Sequence, residues 1–281
     1  MQLDALLAES TEQLKKAGIT TARLDARLLL CHALGITYER MIADGDCEVP
    51  LKERNKVRVL IARRADREPV SHILGRREFW GMDFIVTPDT LDPRPDSETL
   101  IEAVLKIYNR KAPESILDFG TGTGCLLVAL LKEFPKAEGT GVDVSMPNIK
   151  VARKNITAHK LEKRAQIIRS NWGADIHHSF DLIISNPPYI PEKDIAGLEP
   201  EVREHEPHLA LVGMDADGLG CYREILRDMP RLLNAGGHII FECGKGQAAA
   251  LKSMMEKAGL KEVQLWKDLS GVDRCVSGRR I

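Results

Sequence analysis

The segment SFDLIISNPPYIPE sets a carboxamide (Asn186), two imino acids (Pro187 and Pro188) and a phenol ring (Tyr189) directly behind an apolar run. Taken alone, the tetrapeptide reads as a strand-ending turn, because Asn and Pro are turn residues. As chemistry it reads as a clamp for a flat NH2 group, either an amide or a base amine. The Asn186 side chain and the Pro187 main-chain carbonyl offer acceptors for both N–H bonds. Pro187 and Pro188 fix φ and remove competing donors, and Tyr189 can cover the flat face of the substrate. Such a nitrogen is a poor nucleophile because its lone pair is delocalised. Its reaction would take its rate from in-line alignment and exclusion of water. No strong general base is required, and none is evident near the motif.

A second stretch, LDFGTGTGCLLVALL, turns from a predicted strand straight into a predicted helix through Gly120, Gly122 and Gly124. Side chains there would hold a ligand away from the backbone, and a tight turn uses positive φ. Asp143 ends the next predicted strand, where a carboxylate can accept both hydroxyls of a ribose. The spacing is G-x-G-x-G rather than the G-x-G-x-x-G of dinucleotide folds, and no Lys-Ser/Thr follows as in a Walker loop. Asp118 would be a poor neighbour for a pyrophosphate, yet it suits a cation such as the amino group and sulfonium of S-adenosylmethionine (SAM). SAM is the expected ligand; a dinucleotide and a purely structural turn are the competing readings.

Elements that could position these loops are legible in the pattern. From Pro93 onward strands and helices alternate. Predicted strands cover 115–119, 139–144, 165–169, 180–185 and 237–243, followed by 263–267 and 274–278. Helices are expected over 125–134, over 146–159 behind the capping candidate Ser145, and over 221–233 before Asn234-Ala235-Gly236-Gly237. This rhythm predicts a Rossmann-like α/β fold, a doubly wound, mainly parallel seven-stranded sheet whose last two strands form an antiparallel pair. In a 3-2-1-4-5 order, the strand carrying the glycine loop lies beside the strand carrying Asn186, and ligands bind beyond such carboxyl ends.

Residues 1–75 read as a small N-terminal helical bundle. In TTARLDARLLLCHALG, Thr20 or Thr21 can cap, Leu24, Leu28 and Cys31 recur at helical spacing, and Gly35 can supply a left-handed stop. A further helix is expected from Leu51 to Arg64. In REFWGMDFIVTPDT the period changes to two, and Trp80 and Phe84 are expected in the core. Residues 76–92 are therefore read as a connecting β-hairpin linker and 93–281 as the catalytic domain.

Hydrophobic content of 43% and charged content of 29% suit a folded chain with a substantial core, and a net charge of -1 gives no global attraction to nucleic acid or anionic lipid. The start, MQLDALLAES, lacks a basic and then apolar leader, and no apolar run spans a bilayer, so a cytoplasmic protein with no membrane partner is expected. Six dispersed cysteines with no CxxC spacing are expected as free thiols.

At this point the chain resembles the class I SAM-dependent methyltransferases that modify amino groups and carry (Asn/Asp/Ser)-Pro-Pro-(Tyr/Phe/Trp). More narrowly, PVSHILGRREFWGMDFIVTPDTLDPRPDSETLIE, DFGTGTGCLLVALL, SNPPYI, EPHLALVGMDADGL and the Glu242-Cys243-Gly244 to Gln247 pattern resemble the HemK/PrmC family of peptide chain release factor glutamine N5-methyltransferases. The resemblance runs over nearly the full length, the helical N-terminal segment included.

It implies methyl transfer from SAM, leaving S-adenosylhomocysteine, to the glutamine of the Gly-Gly-Gln loop of class 1 release factors. It implies SAM contacts from Gly120, Thr121, Gly122, Thr123, Gly124, Asp143, Trp172 and Asn186, and a glutamine held by Asn186, Pro187, Pro188 and Tyr189. Asn186, Pro187 and Tyr189 would be catalytic, Arg94, Asp96 and Glu98 would organise the rim, and the helical domain would recognise the substrate. A monomer is expected. Asp92 departs from the family pattern, which usually has an aliphatic residue before Pro-Arg, and leaves the packing around Pro93 open.

Weaker signals remain. Residues 52–77 hold nine Lys/Arg against three Asp/Glu, either a solvated face or a docking surface for the release factor or ribosomal RNA. Residues 1–92 hold 14 basic and 15 acidic residues, unlike a nucleic-acid arm. His177-His178 and His205-Glu206-Pro207-His208 lack metal-ligand spacing, and no metal is expected. The rival readings are a methyltransferase acting on a nucleic-acid base, whose flipped-out adenine N6 is a similar NH2, one acting on a ribosomal-protein glutamine, and a SAM-binding scaffold without catalysis.

Overall fold

A computed structural model describes all residues, 1–281, and the chain divides into two compact units. One comprises residues 1–76 and 199–205; the other comprises 77–198 and 206–281. The hairpin thus belongs with the second unit, and a short excursion late in the chain belongs with the first.

The first unit is helical, with helices Leu3–Lys16, Ala22–Leu34, Tyr38–Ala43, Leu51–Ala65 and Val70–Leu74, and Pro200–His205 from the excursion. Gly35 ends the second helix in the left-handed region at φ 64°, as expected. The stripe Leu24, Leu28 and Cys31 is not the buried face: Leu24 is 45% and Leu28 40% exposed, while Ala22, Asp25, Ala26, Leu29 and Leu30 are buried. An acidic residue hid the true stripe from the pattern. Asp25 can be buried because the buried Arg64 of another helix pairs with it at 2.7 Å. Arg64 also reaches Glu201 at 3.0 Å, Arg67 reaches Glu201 at 2.8 Å, Arg63 pairs with Glu68 and Arg58 with Glu9. Much of the basic run is therefore matched by acidic partners within the unit.

The second unit begins with strands β1 (Arg76–Phe79) and β2 (Met82–Ile85), whose two-residue turn, Trp80-Gly81, has φ of 51° and 68°. Phe79 and Phe84 are buried and meet edge to face. Trp80 sits in the turn itself, half-buried, with its indole N–H on Glu133. The remaining strands are β3 (Ser115–Phe119), β4 (Glu138–Asp143), β5 (Ala165–Arg169), β6 (Phe180–Ser185), β7 (Leu233–Glu242), β8 (Lys261–Lys267) and β9 (Asp273–Arg279). They form one sheet in the order β5-β4-β3-β6-β7-β9-β8, parallel through β7 and antiparallel at β9 and β8.

Alternate residues serve the two faces. Ile116, Leu182 and Ile184 pack with the helices at 98–107, 125–133 and 146–158, while Leu117, Phe119, Ile183 and Phe241 pack with those at 220–232 and 248–257. The predicted strands all form. Three features of the pattern read differently. The strand expected from Gly237 begins earlier, at Leu233, so Asn234 to Gly237 form the irregular start of β7, where the pairing register with β6 shifts between Phe180 and Leu182. The helices Glu98–Ile107 and Ala248–Lys257 were not expected; the first follows a Pro-rich block and the second a run of alanines, neither with a strong cap signal. The last strand, β9, inserts between β7 and β8.

Candidate active site

Sheet register brings the two chemical loops together. Phe119, the last residue of β3, pairs with Val142 of β4 on one side and with Ser185 of β6 on the other. Ser185 in turn pairs with Phe241 of β7. One residue further along each strand stand Asp143, Gly120, Asn186 and Glu242, a row across the carboxyl ends at the point where strand order reverses. A depression of 320 Å³ bordered by Ser115, Glu138, Ala165 and Phe180 lies at the opposite, amino ends, away from this row.

Gly120, Gly122 and Gly124 all adopt positive φ, at 67°, 53° and 80°. A Cβ on Gly120 would meet nothing within 4 Å, so the loop has open space beside it, whereas one on Gly124 would press against Ala152 at 3.4 Å. The first two glycines therefore leave room at the backbone and the third permits close helix packing. Asp118, at the root of the loop, is buried; Thr121 Oγ1 donates to its Oδ2 at 2.6 Å, while its Oδ1 has no partner. Burial pushes this carboxyl up to about 7. A cation in the loop would favour its ionised form.

Asp143 holds the loop from the neighbouring strand. Its Oδ2 accepts from Gly122 N at 3.0 Å and from Asn148 Nδ2 at 3.1 Å, and its Oδ1 from Ser145 N at 2.8 Å. Three of roughly four acceptor places on a carboxylate are thus engaged, and the remaining place is on Oδ1. Ser145 also caps the following helix by accepting from Asn148 N. Trp172 lies in the loop after β5, half-buried at φ 50°, its ring edge-on to Phe119 at 6.2 Å.

Beyond β6, Asn186 donates from Nδ2 to Ser97 Oγ at 3.1 Å, and Ser97 Oγ donates to Glu242 Oε2 at 2.5 Å. Ser97 and Glu242 are both buried. Burial pushes the Glu242 carboxyl up to about 7, against the opposing pull of Ser97 and the nearby Arg274. Tyr189 is half-buried, and burial next to the Glu242 charge raises its phenol above the usual range. Its main-chain carbonyl is fixed by Gln247 Nε2 at 2.9 Å, and Gln247 Oε1 accepts from Gly244 N at 2.9 Å. Ile190 bridges to Val212, and a Cβ on Gly218 would collide with the Tyr189 carbonyl, so the VGMDADGLG loop needs glycine where it crosses the motif.

The PRPDSE block divides. Arg94 pairs with the buried Glu206 at 2.8 Å and Asp96 with Arg274 at 2.9 Å, but Glu98 turns to the hairpin and accepts from Trp80 N. The buried Asp92 donates its N–H to Glu206 at 3.2 Å, its Oδ1 is unpartnered, and burial with the Asp92 charge pushes Glu206 up to about 7. Ser97 was missed in the sequence because a serine between two acidic residues carries no signal of its own; Glu242 stood in a recognised pattern without an assigned role. No group of three or more His, Cys, Asp or Glu side chains is arranged to hold a metal ion. No helix is long and apolar enough to cross a membrane.

The chain is similar to known proteins over nearly its whole length. Residues 5–75 match the family described as PrmC N-terminal domain, and residues 91–198 the Methyltransferase small domain. The release factor glutamine methyltransferase of Rhodospirillum rubrum is 45% identical over 99% of this chain and 85% of its own length. Those of Cereibacter sphaeroides and Caulobacter vibrioides are 44% and 42% identical, covering 98% and 95% of this chain and 97% and 92% of theirs. Among solved structures the hMettl16 catalytic domain, determined with an RNA hairpin, has a TM-score of 0.60 at 17% identity over 79% of this chain and 82% of its own. A methyltransferase from Pyrococcus furiosus has a TM-score of 0.53 at 19% identity, covering 81% and 98%. These two share the fold alone; identity along almost the entire chain places the protein in the release factor glutamine methyltransferase family.

Proposed function

We propose that the protein transfers a methyl group from SAM to the side-chain amide N5 of the glutamine in the Gly-Gly-Gln loop of class 1 release factors, the methyl–sulfur bond breaking as the carbon–nitrogen bond forms, with S-adenosylhomocysteine as leaving group and one amide proton released to solvent. The observation that carries this reading is the register pair Phe119 and Ser185, which sets Asn186 beside Gly120. Membership in the family supplies the acceptor.

The glycine loop fits SAM: there is open space at Gly120, an unpartnered buried oxygen on Asp118, and an acidic strand end at Asp143. Gly120, Thr121, Gly122, Thr123 and Gly124 would hold it with Asp143 and with Trp172 on the adenine side. Bound SAM supplies an electrophilic methyl carbon. Asn186 and the Pro187 carbonyl take the two N–H bonds of the glutamine amide, which turns its nitrogen toward that carbon. Pro188 stiffens the loop, and Tyr189 covers the amide plane. Alignment and a dry site account for the rate. The helical unit, matching the PrmC N-terminal domain, would serve substrate recognition. The protein is read as a cytoplasmic monomer.

The test supplies labelled SAM with a class 1 release factor, its Gln→Ala loop variant, a ribosomal protein and nucleic acid in separate reactions. Label is expected on the intact release factor alone. Transfer to nucleic acid, or equal transfer to the loop variant, would sink the assignment.

A further inference from the structure

We infer that Ser97 and Glu242 are positioning residues that fix which end of the Asn186 carboxamide faces the reacting amide. This rests on the reading above, in which Asn186 Oδ1 takes an N–H of the substrate.

The two ends of a carboxamide have nearly the same shape and opposite hydrogen-bonding character. A clamp built on one works only if something dictates its orientation. Ser97 has a single hydroxyl proton, and it is given to Glu242 Oε2 at 2.5 Å. Toward Asn186, 3.1 Å away, Ser97 can then act only as an acceptor, and the Glu242 carboxylate, itself hydrogen-bonded by the Asn186 side chain, likewise only accepts, so Nδ2 turns to this pair and Oδ1 is left for the substrate. An ionised carboxylate has no proton to give, which makes this direction of the chain the only consistent one. Glu242 is itself held from behind, since its strand is paired on both sides, with β6 and β9, and Tyr222 OH donates to its main-chain carbonyl at 2.8 Å.

Protonation reverses the logic. A neutral Glu242 can donate to Ser97 Oγ, the Ser97 proton swings toward Asn186, and the amide turns its oxygen to meet it. Nδ2 would then face the substrate N–H, donor against donor. The charged and titratable groups around Glu242 are Arg274 on β9, which favours its ionised form, Asp96 on the short turn 95–97 that also carries Ser97, which opposes it, and Cys243, Cys275, Cys125, Tyr189 and Tyr222 on the packed elements. Burial places the transition near neutrality.

Two measurements test this. In turnover with release factor, Ser97→Ala should lower kcat by about tenfold to a hundredfold, the scale of a misaligned reacting group. SAM affinity should stay within about twofold and Ser97→Thr, which keeps the hydroxyl, should restore most of the rate. Wild-type kcat should fall on the acid side of neutrality, and Glu242→Gln should abolish that limb. Wild-type rates and an unchanged acid limb in both variants would overturn the inference.

The second readout does not need the substrate. The side-chain amide signal of Asn186 in nitrogen-edited NMR, identified by its loss in Asn186→Ala, should titrate with Glu242 in the wild type and not in Glu242→Gln. A titrating amide without release factor methylation would keep the positioning chain and refute the assigned substrate. Methylation with a silent amide would do the reverse.

Discussion

In the helical unit the buried Asp25 lies 2.7 Å from the buried Arg64, which also reaches Glu201. In the sheet unit the buried Asp118, Glu206 and Glu242 have no such close, fully buried cation, and each is pushed up to about 7 by burial. The same residue type thus serves two ends. A carboxylate matched by a guanidinium locks one helix to another. A buried carboxyl whose partner is a hydroxyl, an amide or only a half-exposed guanidinium stays sensitive to what binds or titrates beside it. On the proposed reading, Asp118 and Glu242 border the reacting groups, whereas Asp25 and Arg64 hold the helical unit together.

Removing a residue from each kind of place should therefore give different losses. Asn186→Ala should cut methyl transfer by about a thousandfold, the upper range for loss of one positioned hydrogen-bonding group. Calorimetry should show SAM binding and folding largely intact. A variant with wild-type turnover would remove Asn186 from the mechanism.

On the stability side, Arg64→Met should cost about 3–5 kcal/mol in urea unfolding because it strands the buried Asp25. The double change Asp25→Leu with Arg64→Met should recover most of that loss, since an apolar pair of similar bulk needs no charge match. If the double variant is as unstable as the single one, the pair does more than satisfy charge.

Asp92 sharpens the comparison with pH. Glu206 titrates at about 7 in the folded chain, above its ordinary value of 4.5. Folding therefore favours its protonated form, and the associated stability is full below about 4.5 and lost as pH rises through about 7. Asp92 adds to the upward push. Asp92→Asn should relieve it, raising stability at pH 8 by about 1 kcal/mol while changing little at pH 4. Equal effects at both pH values would show that the charge of Asp92 is not what matters.

The smallest effect is expected at the surface. Arg223 pairs with Asp215 at 2.6 Å and Asp217 at 2.5 Å, and its hydrogen bond holds Asp217 down at about 2. All three side chains are water-exposed, so Arg223→Ala should shift unfolding by less than about 1 kcal/mol. A larger loss would mean that the loop crossing Tyr189 depends on this pair.

What could be read from the chain alone was whatever neighbours in sequence determine. Alternation and short apolar runs marked the strands, Ser145 marked a cap, and Trp80-Gly81 fell at a change of period. The glycine loop and Asn186-Pro187-Pro188-Tyr189 pointed to a SAM site and an amide clamp because the suggestive residues are concentrated within a few positions. The family blocks did the rest for the identity of the fold.

Tertiary structure decided the pairings that no local pattern encodes. Asn186 meets Ser97 from 89 positions away, and Ser97 meets Glu242 from 145. Asp25 could be buried only because Arg64, 39 positions on, came with it, and this reversed the apparent apolar face of its helix. The physical reason is the same in each case. Helix and strand periods depend on side chains a turn or a pleat apart, whereas the cost of burying a polar group depends on which distant partner the sheet order and helix packing deliver.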